Sequence, residues 1–570
     1  MENKDIIRLL RLTTTLLEVH NENVFKIRGY QNAVATLERL NEPLKNMPQE
    51  EIAAINGIGK SLAANIREML DTGSFPQLRE LVEQTPEGVI RMLDIKGLGP
   101  KKVRQIWQEM EIVDTEALLE ACEQGTLAKV KGFGAKTQET ILASLRFTQA
   151  NKGKARYADL ESYGEALEKE LQQAFKDAPA AIAGEYRRRL EIIENLVLLV
   201  AHSNPKAVIN HLNTLEYLEQ HKAASGPFVW RGLYTEPGVK VELHICPPEQ
   251  FSCMLLKLTG STTHLQAKLK SGKSLLEVAA EKQYESEEAI YKAAELSFVA
   301  PELREGFFEL PLAEEGKLPT LLENSDLKGS LHNHSTYSDG KHSLREMAEH
   351  CRDLGYEYLG ISDHSKTAFY AGGLEIERVL EQHKEIEQLN QELAPFKIFK
   401  GIESDILPDG ALDYPEDILK RFDFIVASIH GNLNMSLEKA TERLLTAIAN
   451  PYTTILGHPT GRLLLRREGY PIDHRAVIDA CAEHGVIIEI NANPWRLDLD
   501  WRWVQYALEQ GVLISINPDA HEKDGYLHMQ YGVLAGRKGG LTAEQTFNAR
   551  SAKEVEQYFL QRKERAEKKA

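Results

Sequence analysis

Between residues 332 and 521 the sequence sets out nine side chains able to ligate a divalent metal ion. They are His332 and His334 in His-Asn-His, Asp339 in Tyr-Ser-Asp-Gly, His364 in Ile-Ser-Asp-His, Glu403 in Gly-Ile-Glu-Ser-Asp, His430 in Ser-Ile-His-Gly, His458 in Gly-His-Pro, and Asp519 and His521 in Pro-Asp-Ala-His. Imidazole and carboxylate without thiolate suit Mn²⁺, Zn²⁺ or Fe²⁺ and do not choose among them. Clustered ions of this kind lower the pKa of a bridging water, hold a phosphoryl group and stabilise a leaving oxygen, so phosphoester hydrolysis by a metal-bridging hydroxide is the expected chemistry. A lone His-x-His is more often an ordinary histidine pair than a clamp. The further motifs downstream decide the matter.

Elements must bring these residues together. Most follow a short apolar run, such as YLGIS, KIFKGI, FDFIVAS, TTILG or VLISI, and from Lys328 onward such runs alternate with helical segments. Residues two apart on a strand face the same side, and the C-terminal ends of successive parallel strands converge on one mouth. In order and motif, about residues 328–560 resemble the PHP phosphoesterase domain. The resemblance implies a distorted (β/α)7 barrel holding three divalent ions, Mn²⁺ first, with all nine ligand positions of the family filled. His342 and Asp363 are spare and are not counted as ligands. Arg462, Arg466, Arg467 and Arg496 follow closely enough to grip phosphate or DNA beside the ions, although solvated loop arginines read the same way; Asn493 ranks with Arg496.

A different signal occupies the N-terminal quarter. An apolar-x-Gly-apolar-Gly pattern recurs with Gly57, Gly59 and Lys60, with Gly97, Gly99, Lys101 and Lys102, and with Gly132, Gly134 and Lys136. Two glycines one residue apart allow a tight turn that exposes backbone amides at a helix start, where a phosphate oxygen fits. One copy could merely cap a helix-helix turn; three favour a nucleic-acid module. The pattern resembles the helix-hairpin-helix motif, which binds the DNA backbone without reading sequence.

Between these regions, β-branched runs near residues 192–200 and 239–245 suggest a small mixed domain, and residues 251–318 return to helical character. This order along essentially the whole chain resembles the bacterial family-X DNA polymerases. The resemblance implies a multidomain chain: a helical helix-hairpin-helix 8-kDa-like domain at 1–80, a fingers-like domain at 81–152, a small α/β nucleotidyltransferase-like palm at 153–250, a helical thumb at 251–318, a linker at 319–327 and the barrel at 328–570. Aligned through Gly184 and Arg187-Arg188, however, the family's serine becomes Glu185, its paired catalytic aspartates become Asn195 and Val197, and its third becomes Glu242. Asn lacks the charge that a Mg²⁺ pair requires and Val cannot coordinate. The polymerase site is therefore expected to be inactive. The family's Schiff-base lysine aligns with Asn65, so no 5′-deoxyribose phosphate lyase is expected.

Composition bounds the rest. At 570 residues, 42% hydrophobic and 27% charged, the chain is long enough for several cores and is composed like a soluble globular protein. Its net charge of -17 excludes a general basic coat, whereas residues 1–150 carry 19 basic against 21 acidic side chains, so DNA contact must be local. Five cysteines without a C-x-x-C pair, and no apolar stretch of membrane-spanning length, point to the cytoplasm, a bacterial one as the family resemblance implies. The basic tail QRKERAEKKA reads as a solvated helix end. The expected function is a DNA-repair-associated, metal-dependent 3′-5′ exonuclease acting on gapped, nicked or single-stranded DNA, nucleoid-associated when bound, with repair proteins as further partners. The alternatives are a phosphatase of small phosphomonoesters, a DNA-binding scaffold, and residual polymerase activity.

Overall fold

The computed structural model describes residues 1, 3–38, 40 and 42–569, and the chain divides into two compact units, Met1–Lys152 and Gly153–Ala570. The first unit is helical. Helices Asn3–Val19, Val24–Leu37 and Lys60–Thr72 bury Leu10, Leu17, Tyr30 and Ile66 in one core. Helices Pro100–Met110, Thr115–Glu123 and Ala135–Ala150 bury Val103, Leu118 and Ile141 in a second.

The second unit begins with a small mixed sheet. β1 (Ala155–Arg156) pairs with β3 (Ile192–Ile193). The remaining strands, β2 (Ala180–Ile182), β4 (Asn195–Ala201), β5 (Leu218–Gln220), β6 (Val229–Tyr234) and β7 (Val239–Cys246), form a five-stranded sheet ordered β2-β4-β7-β6-β5. β4 and β7 are parallel, which places Val197 opposite Glu242 and Asn195 opposite Lys240. A helical layer follows, packed around Leu256, Leu275, Ile290 and Tyr291.

Polar clamps fasten this layer to the sheet: Arg187 bonds Glu287 at 2.6 Å and Arg188 bonds Glu305 at 2.9 Å. Others reach the barrel. Glu191 accepts from Trp501 Nε1 at 3.0 Å and from Arg502 at 2.8 Å, and the fully buried Lys538 donates to the Arg188 carbonyl at 3.0 Å and to Glu305. Unpaired, such buried charges would be costly. Here each has a partner.

The barrel consists of β8 (Gly329–Ser330), β9 (Tyr358–Ile361), β10 (Lys397–Asp405), β11 (Phe424–Ser428), β12 (Ile455–Leu456), β13 (Ile487–Asn491) and β14 (Ile514–Asn517), seven parallel strands in sequential order. A parallel bridge between Asn333 and Ala520, with His334 N donating to Ala520 O at 2.8 Å, nearly closes the ring. The multidomain reading, with a helical N-terminal region and a distorted (β/α)7 barrel, therefore holds.

The barrel floor is apolar. A Cβ on Gly401 would lie 2.2 Å from the Phe424 ring and one on Gly360 2.6 Å from it, so both glycines are needed for Phe424 to fill the interior. Helix Ala552–Lys569 closes the floor by stacking Phe559 on Phe424 at 5.3 Å. Phe559, just before the basic tail, is buried, while in the tail itself Gln561, Glu564, Arg565, Glu567 and Lys568 are exposed, Ala566 is buried and Arg562 donates to the carbonyls of Gly485 and Thr453. With its floor sealed, the barrel opens to chemistry only at the strands' C-terminal mouth. Phe424→Ala should lower the stability of the protein by about 3–5 kcal/mol, read from the urea unfolding transition that monitors the barrel; an unchanged midpoint would contradict the packing described.

Candidate metal centre

All nine residues singled out from the sequence meet at this mouth. His332 and His334 lie just past β8, His364 past β9, Glu403 in β10, His430 past β11, His458 past β12, and Asp519 and His521 past β14, while Asp339 comes from the loop after His334. They form overlapping groups whose ligand atoms all lie within 4.8 Å of one another: His334, Asp339, His364 and His521; His332, Glu403 and His458; His332, His334 and Asp519; and His364, Glu403 and His430.

Glu403 is the hub. Its Oε1 lies 3.0 Å from His458 Nε2, 3.1 Å from His430 Nε2 and 3.3 Å from His332 Nε2, and its Oε2 lies 3.0 Å from His364 Nδ1. Three of these four rings crowd a single oxygen, Oε1, which offers only about two lone pairs. Accordingly His332 Nε2, His364 Nδ1, His458 Nδ1, both ring nitrogens of His334 and Glu403 Oε2 are buried without a hydrogen-bond partner. Buried polar atoms are normally satisfied. A cluster of lone pairs directed at shared points fits divalent ions, and the nitrogen and oxygen donor set suits them.

A second layer fixes the rings. Glu489, in β13, accepts from His332 Nδ1 at 2.7 Å and from the His458 backbone amide at 2.8 Å. Asp405 binds His430 Nδ1 at 2.5 Å, and Asn491 donates to Asp519 at 3.1 Å. By occupying one nitrogen, each carboxylate turns the other toward the centre. Asp363, set aside as a spare, fastens the loop that carries Asp339: it accepts from Ser335 Oγ at 2.7 Å, Gln382 Nε2 at 2.6 Å and Ser338 Oγ at 2.5 Å. His342 lies apart and accepts from the Lys523 amide at 3.4 Å. Sequence reasoning missed Glu489 and Asp405. The signal for Glu489 was an acid inside the apolar run Val486–Ile490.

Electrostatics follow this packing. Burial opposes charge on His430 and His521, but Glu403 and Asp405 push the first up to about 10, and Asp339 and Asp519 push the second to about 9. Burial and then the neighbouring His521 and His364 rings take His334 down to about 3. Despite burial, the surrounding imidazoles hold Glu403 and Asp519 well below the usual carboxylate range. Backbone strain accompanies the site, since Asp519 has φ 52° without being glycine.

The four arginines separate. Arg496 lies 3.5 Å from Asp519, and the His458 pKa is lowered by burial and then by Arg496, so this arginine belongs to the mouth. Arg462 does not, which corrects the expectation that it grips phosphate: its guanidinium is taken up by Asp500 and by the carbonyls of Arg496 and Leu497. Arg467 caps the Gly461 carbonyl at 2.7 Å, and Arg466 lies over the Trp495 ring at 3.6 Å while staying exposed.

In the small sheet, Val197 fills the space beneath Gly184, whose Cβ would lie 2.9 Å from it. Glu242 is gripped by Arg231 at 2.9 Å and His244 at 2.7 Å, and Glu185 accepts from the Glu194 amide at 2.6 Å. Asn195 and Glu242 line a cleft of about 400 Å³. In the N-terminal unit the three glycine pairs fold alike. Gly57, Gly97 and Gly132 have φ of 87°, 92° and 95°, and Gly59, Gly99 and Gly134 each precede a helix with open space where a Cβ would stand. Lys60, Lys101 and Lys136 are exposed beside these turns, whereas Lys102 folds back onto the Gly97 carbonyl at 3.0 Å.

Family profiles match a Helix-hairpin-helix domain over residues 1–75, a SAM-like Helix-hairpin-helix tandem over 89–146 and a PHP domain over 330–493. The chain is 37% identical over 574 residues, covering 98% of its own length and 99% of the relative's, to the DNA polymerase/3′-5′ exonuclease PolX of Bacillus subtilis. Over 251 residues, 41% of this chain and 94% of the relative, it is 28% identical to a probable phosphatase of a Thermoanaerobacter species. A probable phosphatase of Acetivibrio thermocellus is likewise 28% identical, over 42% of this chain and 97% of the relative.

Two outcomes are expected of metal-stripped protein. At pH 7.5 His430 and His521 still carry protons that an ion must displace, so Mn²⁺ binding releases protons and tightens as pH rises toward 9. Calorimetry in buffers of different ionisation enthalpy measures both effects, and pH-independent affinity would contradict them. Glu489→Gln should weaken Mn²⁺ binding about 10- to 100-fold by releasing the His332 ring; wild-type affinity in the same titration would show that Glu489 does not act through His332.

Proposed function

We propose, for a chain that belongs to the PolX family, that the barrel hydrolyses DNA phosphodiesters from the 3′ end with divalent ions, Mn²⁺ first, held by His332, His334, Asp339, His364, Glu403, His430, His458, Asp519 and His521. The observation that carries this reading is the Glu403 hub with its unpaired imidazole nitrogens. Three ions are proposed. Such ions supply Lewis-acid polarisation of a phosphoryl oxygen and offset the charge that develops on it. The protein's own part is to position. Glu489 and Asp405 fix ring orientation, and Arg496 offers a guanidinium to a phosphate oxygen at the rim.

The exposed amides and lysines of the three glycine turns would hold the DNA backbone, independent of its sequence, at gapped, nicked or single-stranded ends. Polymerisation is not proposed. A two-ion nucleotidyl transfer site needs clustered carboxylates, whereas Asn195 and Val197 carry none and Glu242, opposite Val197, is already engaged by Arg231 and His244. Five free cysteines support a reducing cytoplasm as the place of work.

A second reading, hydrolysis of small phosphomonoesters, is favoured by the likeness to probable phosphatases. The two are separated by incubating the protein with 3′- and 5′-labelled single-stranded and gapped DNA and Mn²⁺, beside a His332→Ala/Asp519→Ala variant, a dNTP lane and p-nitrophenyl phosphate. Stepwise 3′ shortening that the variant lacks, with no template-directed incorporation, is expected. Hydrolysis of the small ester with DNA left intact would replace the exonuclease with the phosphatase, and dNTP incorporation would overturn the inactive polymerase site.

A further inference from the structure

The loop from Ser365 to Leu374, between β9 and helix Ile376–Glu392, has an unusual distribution of apolar side chains. Ala368, Ala371 and Leu374 are buried and anchor it, while Phe369 is 85% and Tyr370 65% exposed. Two adjacent exposed aromatics contribute little to the fold, and contiguous exposed apolar surface marks contact sites. Their rings meet edge-on at 6.0 Å.

The loop is tied to the metal centre at its base. Leu374 N donates to the carbonyl of His364 at 2.8 Å, and Ser365 N to the carbonyl of Glu403 at 3.0 Å. Thr367 Oγ1 bonds Asp405 at 2.9 Å, the same carboxylate that holds His430. Partial burial of the Tyr370 phenol, and then the carboxylates of Asp405, Glu403 and Asp339, push it up to about 12, with Arg496 opposing. The exposed rings therefore stand at the rim of the site on a loop whose ends are hydrogen-bonded to its candidate ligand residues.

From this placement, and resting on the exonuclease reading above, we propose that Phe369 and Tyr370 form a stacking platform for the terminal nucleobases of a DNA strand whose end enters the metal centre. Every base offers a π-face, so such a platform accepts any sequence and selects unpaired ends over duplex ones. Among the described residues Phe369 is the most exposed large hydrophobic side chain.

The test compares removal of the last nucleotide from single-stranded oligonucleotides ending in thymidine or in a 3′ tetrahydrofuran abasic nucleotide, in Mn²⁺, with p-nitrophenyl phosphate hydrolysis as a separate readout of the centre. For the wild type, KM should rise about tenfold on loss of the base, with a smaller change in kcat. Phe369→Ala should erase the difference and Phe369→Trp should keep it. Equal KM for both ends in the wild type would overturn the platform even if Phe369→Ala failed to fold, as would full discrimination in Phe369→Ala. Ester hydrolysis without shortening of either oligonucleotide would overturn the exonuclease reading and the platform with it, a pattern distinct from shortening without discrimination.

Discussion

The mouth of the barrel is organised around one carboxylate that faces more imidazoles than it can satisfy. Glu403 lies within 3.3 Å of His332, His364, His430 and His458, which arrive from four other strand ends. Without positive charge at the shared points, this arrangement would strand buried lone pairs at a cost of about 1–3 kcal/mol each. The surrounding architecture serves that constraint. Phe424 and Phe559 seal the floor, so the polar mouth is the barrel's open end. Glu489, Asp405 and Asn491 hold the rings and Asp519 in fixed orientation.

The small mixed sheet and its helical layer bind to the barrel through charge rather than apolar area alone. Arg187 and Arg188 join the sheet to the helical layer through Glu287 and Glu305. Glu191 is committed to Trp501 and Arg502. Val197 packs under Gly184. The same region presents Arg156 over Trp495 at 3.2 Å, next to Arg496 at the mouth, so the sheet also braces the loop that carries Arg496.

The barrel was legible in the sequence because parallel strands place their last residues at one end, so a run such as FDFIVAS followed by His430 states both the strand and the side chain's destination. The repeated glycine pairs were legible for a related reason: a positive φ at Gly57, Gly97 and Gly132 is a backbone requirement that residue type alone discloses. Residues acting through others were not legible. Glu489 resembles any buried acid until His332 is seen against it, and Arg462 resembles any loop arginine until Asp500 and two carbonyls are seen to take up its donors. Tertiary neighbours decide those roles, and no spacing encodes them. The anchoring of the last helix was hidden likewise, because Phe559 and Ala566 are buried on a helix whose other residues are largely charged and exposed.

The central claim is that Glu403 joins neighbouring metal sites at the barrel mouth. Anomalous diffraction from crystals grown with Mn²⁺ tests it most directly. Peaks are expected among the His334, Asp339, His364 and His521 group and on both sides of the Glu403 carboxylate, toward His332 with His458 and toward His364 with His430. Mn²⁺ peaks elsewhere in the protein, with none in contact with Glu403, would contradict it.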